Sequence, residues 1–259
     1  GCLGERVGYY GNSLGDHFGV GHIFLAGEAP GLFYGYVTQG IVQKEDITEN
    51  GIKYIKQDGS VGYYQTVNKT TPVAGDVKYV DRNGDGVVDD NDRDIIGNPN
   101  PDFTYGFQTK VSWKSLSLSA SFNGVQGRDI LNVGNRYNNT PGTKSNNVTR
   151  KAFQNMWTDE NPSNLYPKST FVVQNMVMDR YVEDGSYLRC SDITLSYVLP
   201  AKWTNKIGIK NTSVYASVKN AFVITDYSGY DPEVNSFAFD GLRPGVDMNS
   251  YPTPRSFVF

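Results

Sequence analysis

Long hydrophobic runs are missing from this 259-residue sequence. No stretch approaches the roughly 18 consecutive apolar residues that a membrane-spanning helix needs. That excludes a transmembrane helix. It does not exclude a membrane barrel, whose strands alternate apolar and polar residues and vanish in a sliding-window average. Cysteine is scarce: Cys2 and Cys190 lie far apart, give neither a metal spacing nor a disulfide framework, and read as free thiols. Histidine is as scarce. His17 and His22 stand in a glycine-rich stretch with no nucleophile motif or zinc spacing around them. Positive charge is not in excess. The formal net charge is -3, so no broad nucleic-acid footprint is expected. No secretory leader opens the chain. It starts abruptly at Gly1, which reads as the interior of a longer polypeptide.

Aromatics, by contrast, are abundant. Tyrosine alone contributes 18 residues and phenylalanine 13, a load that suits a sheet protein with many half-wet surfaces. Gly31–Val37 is an aromatic strand-like run. Ile52–Tyr64 reads as a hairpin turning at Asp58-Gly59, and Asp76–Val80 as a short strand entering an acidic loop.

Beyond residue 103 the pattern sharpens to period two. From Thr104 to Trp113 one face carries Tyr105, Phe107, Thr109, Val111 and Trp113, and the other Thr104, Gly106, Gln108, Lys110 and Ser112. Lys114-Ser115 makes a tight turn. Leu116, Leu118, Ala120 and Phe122 then oppose Ser117, Ser119, Ser121 and Asn123. Further strands are expected at Tyr187–Leu199, Ser213–Phe222 and Tyr251–Phe259. A soluble sandwich also alternates in this way, but two features favour a membrane barrel. Tyr105 and Trp113 sit near the two ends of one strand, where interfacial aromatic girdles would place them. Short and long connections alternate, as periplasmic turns and extracellular loops do, and the chain then ends on the periplasmic side.

The sharpest local motif is Asp81-Arg82-Asn83-Gly84-Asp85-Gly86-Val87-Val88-Asp89-Asp90-Asn91-Asp92. It fits the opening of a calcium loop. Asp81, Asn83, Asp85 and Asp89 would supply side-chain oxygens, Val87 its carbonyl, and Asp92 the closing carboxylate. The flanks read as strand, so this is a calcium loop without helices, with calcium in a structural role. A solvated turn rich in Asp, Asn and Gly is the plainer alternative.

Several runs resemble the late region of SusC/RagA-type TonB-dependent transporters. They are Phe33–Tyr36, Asp76–Gly86, Asp94–Phe107, Val182–Arg189, Tyr227–Asn235 and Tyr251–Arg255, in order from about Gly31 to the end. The resemblance implies an all-β fold: the C-terminal portion of a transmembrane antiparallel barrel of about 22 strands with a plugged lumen, set in outer-membrane lipid. Residues 1–103 would form loops and barrel strands including the 81–92 loop, and residues 104–259 the C-terminal strands with long extracellular loops. The plug and TonB box of the family are not recognisable, so the remaining N-terminal barrel and plug are implied partners. Members continue a few residues past the position of Phe259, so the last strand would be cut short. The resemblance further implies a SusD-like surface lipoprotein, energy from TonB, and a glycan or peptide cargo. Loop aromatics able to stack on sugar rings are Tyr137, Trp157, Tyr227, Tyr230 and Phe237; packing of the loops is the plainer role for each.

No enzyme is expected. Glu183-Asp184 and Asp159-Glu160 are adjacent carboxylates, and neighbours on a strand point to opposite faces. The rival reading is a secreted calcium-stabilised β-sandwich that binds carbohydrate. In that case a second sheet must cover Tyr105, Phe107, Leu116 and Leu118.

Overall fold

The computed structural model describes residues 21–140, 147–169, 176–205, 208 and 212–259. Cys2 and His17 lie outside the described residues. The chain forms two compact units. The first takes the segments up to Asn100, Ile130–Glu183 and Asn235–Asn249; the second takes Pro101–Asp129, Asp184–Val234 and Ser250–Phe259. The first unit draws on segments from both sides of residue 103. The long loops between the later strands carry Leu131, Val133, Trp157, Val177, Met178 and Val246, and these share a core with the N-terminal segment.

The first unit is built of short strands. In chain order these are β1 (His22–Ile23), β2 (Leu32–Gly35), β3 (Thr38–Ile41), β4 (Ile47–Thr48), β5 (Gly51–Ile55), β6 (Val61–Tyr64), β7 (Thr66–Val67), β8 (Val77–Tyr79), β9 (Val87–Val88) and β10 (Asp94–Gly97). β5 and β6 form the expected hairpin. Asp58 Oδ1 accepts from the Ser60 amide and hydroxyl, and Gly59 adopts φ 83°, a conformation glycine enters without steric cost. The core takes up five of the 18 tyrosines: Tyr36, Tyr54, Tyr64, Tyr79 and Tyr181. Tyr54, Tyr64 and Tyr79 are fully buried, and each phenol finds a partner. Tyr54 donates to the Asp81 carbonyl at 2.6 Å, Tyr64 accepts from the Tyr79 amide at 3.1 Å, and Tyr79 meets Met178 Sδ at 3.6 Å. Such rings fill core volume without leaving a stranded hydroxyl.

The second unit is dominated by one antiparallel sheet. Its strands are β11 (Phe103–Trp113) and β12 (Leu116–Gln126), then, after β13 (Asp129–Asn132), α1 (Val133–Asn139), α2 (Arg150–Asn155) and β14 (Val182–Asp184), β15 (Tyr187–Val198). After α3 (Ala201–Thr204) comes β16 (Ser213–Thr225), and after β17 (Val246–Asp247) comes β18 (Ser256–Val258). The spatial order is β11-β12-β15-β16-β18. Lys114, at φ 53°, turns β11 into β12, and its ammonium lies 4.7 Å from the centroid of the Trp113 ring.

Register converts the alternation of single strands into two chemically distinct faces. Trp113, Leu116, Tyr197 and Val214 align across four strands. So do Val111, Leu118, Leu195 and Ala216, and then Thr109, Ala120, Ile193 and Val218, with Phe257 of β18 opposite Val218. Phe107 stacks on Phe122 with ring centroids 4.6 Å apart, and Phe222 follows at 6.4 Å from Phe122. The reverse face aligns Lys110, Ser119, Thr194 and Ser217, and beside them Gln108, Ser121, Asp192 and Lys219.

Strand ends differ from expectation at β18. Residues 251–255 do not pair, and only Ser256–Val258 does. Pro252 and Pro254 have no N–H for a ladder, and the amide of Thr253 is taken by Asp231 Oδ2 at 3.2 Å.

Candidate functional site

The apolar face of the five-stranded sheet is uncovered. Val111 is 64% exposed, Trp113 68% and Leu118 47%, and Tyr105, Phe107, Leu116, Leu195, Val214 and Phe257 are exposed as well. Among the described residues of the second unit no further sheet covers them. Soluble proteins rarely leave so continuous an apolar surface open to water. Tyr105 and Trp113 mark its two ends, eight residue steps apart, which spans roughly 27 Å along a strand before tilt. An outer-membrane apolar band is about 25 Å tall, so the dimension fits. Gly124 leaves room for the Tyr105 ring, which lies across it.

On the polar face a charge cluster closes over the upper part of β15. Arg189 Nη2 donates to Asp231 Oδ1 at 2.5 Å, and its Nε lies 3.4 Å from Glu233 Oε1. The same Glu233 oxygen accepts from Tyr187 Oη at 2.7 Å and Asn123 Nδ2 at 2.9 Å. Asp231 also accepts from the amides of Glu233 and Thr253. Burial pushes the Asp231 carboxyl up, but these hydrogen bonds and the Arg189 charge outweigh it and hold it below the usual carboxylate range. The cluster ties the 226–234 segment to β12 and β15. Sequence reasoning noted both runs but not their pairing, because nothing local links Arg189 to Asp231.

The acidic loop is knitted by its own side chains. Buried Asp81 accepts from Gly84 N at 2.6 Å and Gly86 N at 2.8 Å. Buried Asp92 accepts from Arg82 N, Asn83 N and Asp89 N. Asn83 accepts from Asp85 N, Asp85 from Val87 N, and Asp89 from Asn91 N. These are the Asx turns that Asp and Asn favour. Burial, and secondarily the Asp81 charge, raise the Asp92 carboxyl above its ordinary range despite the three amides. Among the described residues no three His, Cys, Asp or Glu side chains converge as metal ligands. The donors fit calcium in kind, since both buried carboxylates keep spare lone pairs.

Of the loop aromatics, Trp157 is buried and donates from Nε1 to Gln43 Oε1 at 3.0 Å, and Tyr227 is buried. Phe237 packs on the core under the Arg243 guanidinium, 4.0 Å from the ring centroid. Tyr230 is 72% exposed. Tyr137 belongs to α1, and its side chain lies outside the described residues.

No family model matches the sequence. Among curated proteins the chain is similar to TonB-dependent receptor P3 of Formosa agariphila, 32% identical over 241 residues, covering 91% of this chain and 22% of that protein. It is also similar to TonB-dependent receptor SusC of Bacteroides thetaiotaomicron, 34% identical over 187 residues, covering 70% of this chain and 17% of that protein. Among solved structures it resembles the RagAB peptide importer in its open-open state, with a TM-score of 0.61 and 25% identity, covering 92% of this chain and 22% of that one. The chain spans about a fifth of the length of the relatives it matches.

Proposed function

The chain belongs to the SusC/RagA family of TonB-dependent receptors, which are outer-membrane proteins, and on that premise we propose that it supplies wall strands and outer loops of a nutrient importer. The carrying observation is the exposed apolar face, in register from Trp113 to Val214 and backed by a serine- and threonine-rich face. Lipid is the solvent that suits the first face and a wet lumen the second. The sandwich alternative needs a covering sheet, and the uncovered face argues against it.

In the full reading the sheet is part of a closed barrel of about 22 strands. The plug comes from the rest of the polypeptide, a SusD-like lipoprotein lids the outer mouth, and TonB drives release. Cargo is a glycan or a peptide; the likeness to a peptide importer supports the second. The chain acts in transport and not in catalysis. Of the aromatics weighed for cargo, Tyr230 is free to stack on it, while Trp157, Tyr227 and Phe237 pack the loops. Calcium at Asp81, Asn83, Asp85, Val87, Asp89 and Asp92 would have a structural role, relieving the repulsion between the two buried carboxylates.

The test is direct. The parent polypeptide should extract with the outer membrane only in detergent, shift on gels when heated, and co-purify with a lipoprotein. Deleting it should abolish uptake of one glycan or peptide. Recovery in the soluble fraction without detergent would overturn the reading.

A further inference from the structure

A cavity of about 210 Å³ opens in the first unit beside α1. Its walls are Asn135, Asn139 and Thr140 of the helix region, Lys151 of α2, the Leu165-Tyr166-Pro167 segment, and Arg180-Tyr181. Among the described residues two cations line it and no carboxylate does. Arg180 is anchored by one arm: Nη2 donates to the Leu165 carbonyl at 2.5 Å. Its other arm, Nη1, is buried without a hydrogen-bond partner. The acids nearest to it in sequence are engaged elsewhere. Asp179 accepts from the Thr38 amide and hydroxyl, and Glu183, behind the cavity wall, accepts from Asn132 and from the wall residue Asn135. Among the described residues neither Arg180 nor Lys151 forms an ion pair.

Nη1 has almost no accessible surface, so what Arg180 offers the cavity is its positive charge and not that donor. A carboxylate is the group that a wall carrying uncompensated positive charge attracts. Lys151 adds a second positive charge to the walls, and the rings of Tyr166 and Tyr181 offer apolar surface for the carbon body behind an acid group. The volume suits one residue of a polymer and not a chain. We propose that this cavity binds the carboxylate-bearing unit of the cargo: one acidic sugar, or the C-terminal residue of a peptide. The proposal rests on the importer reading and names the chemistry of what is carried.

Binding is measured by calorimetry and saturation-transfer NMR on the parent polypeptide in detergent. The probes are glucuronate against glucose, and a free-acid tripeptide against its C-terminal amide. At least one acid should bind saturably, and its neutral counterpart about tenfold more weakly. Arg180→Gln and Lys151→Gln should each weaken it about tenfold. Lys151→Gln leaves the Arg180–Leu165 bond in place and so guards against a folding artefact. Glucuronate alone would identify a saccharide source, and the tripeptide alone a peptide source. Equal binding of neutral probes, equal binding of acetate, or indifference to both variants would overturn the proposal. Import is scored separately. Uptake lost on deletion, with binding untouched by the variants, removes the pocket and keeps the importer; uptake unaffected by deletion, with binding as expected, does the reverse.

Discussion

Arg189 and Asp231 form a buried ion pair at 2.5 Å across 42 residues of sequence. The pair fastens a loop to the polar face of the sheet; removing Arg189 strands the Asp231 carboxylate, and removing Asp231 leaves Arg189 with Glu233 alone. Arg189→Met or Asp231→Asn is expected to cost about 3–5 kcal/mol, read as a lower unfolding midpoint and faster amide exchange over residues 226–234. The double variant should recover part of the loss. Asp231 has a depressed carboxyl in the folded state, so its contribution is fully present above its unfolded value and lost as pH falls through the folded one. The acid limb of the stability profile should therefore flatten in Asp231→Asn.

The two faces of β12 should respond oppositely to charge. Leu118→Arg places a cation on the apolar face and should destabilise the protein in bilayers by about 2–4 kcal/mol. Ser119→Arg, one residue on and facing the polar side, should be nearly neutral. Equal effects in a folding titration into lipid vesicles would contradict the assignment of faces.

His22 is buried, with Nε2 3.0 Å from the Pro244 carbonyl and Nδ1 without a partner. Burial is the main cause that lowers its pKa, and the Arg243 charge adds to it. A lowered histidine is stabilising while neutral. Its contribution is complete above the unfolded value of about 6.5 and is lost as pH falls below that. Protection factors of the β2 amides, corrected for the intrinsic pH dependence of exchange, should fall between neutral and mildly acidic pH, and His22→Gln should remove that dependence.

Calcium should raise the unfolding midpoint of the first unit. At a concentration 100-fold above the dissociation constant the gain is about 2.7 kcal/mol. Asp81→Asn or Asp92→Asn should abolish it. Millimolar calcium without effect on the wild-type chain would leave the loop as a set of Asx turns.

Much of the five-stranded sheet was legible in sequence. The dyad repeat of Tyr105 to Trp113 and Leu116 to Phe122 needs only the alternation of side chains along a strand, and Lys114-Ser115 marks its own turn. The loop aromatics were less legible. Trp157 and Tyr227 carry the same local signal as Tyr230, and only packing separates the buried rings from the exposed one.

The sequence alone therefore determined the alternating strands, the tight turns and the family. Tertiary structure decided which side each residue faces past an irregularity. Strict alternation along β15 puts Tyr187 and Arg189 with Ile193 and Leu195 on the apolar side. The extra residue at Ser191 breaks the register between Cys190 and Asp192, and a bulge reverses the parity beyond it. Arg189 thereby lies opposite Asn123 on the polar face, where it meets Asp231. No local pattern announces a bulge, because its position is set by pairing with neighbouring strands.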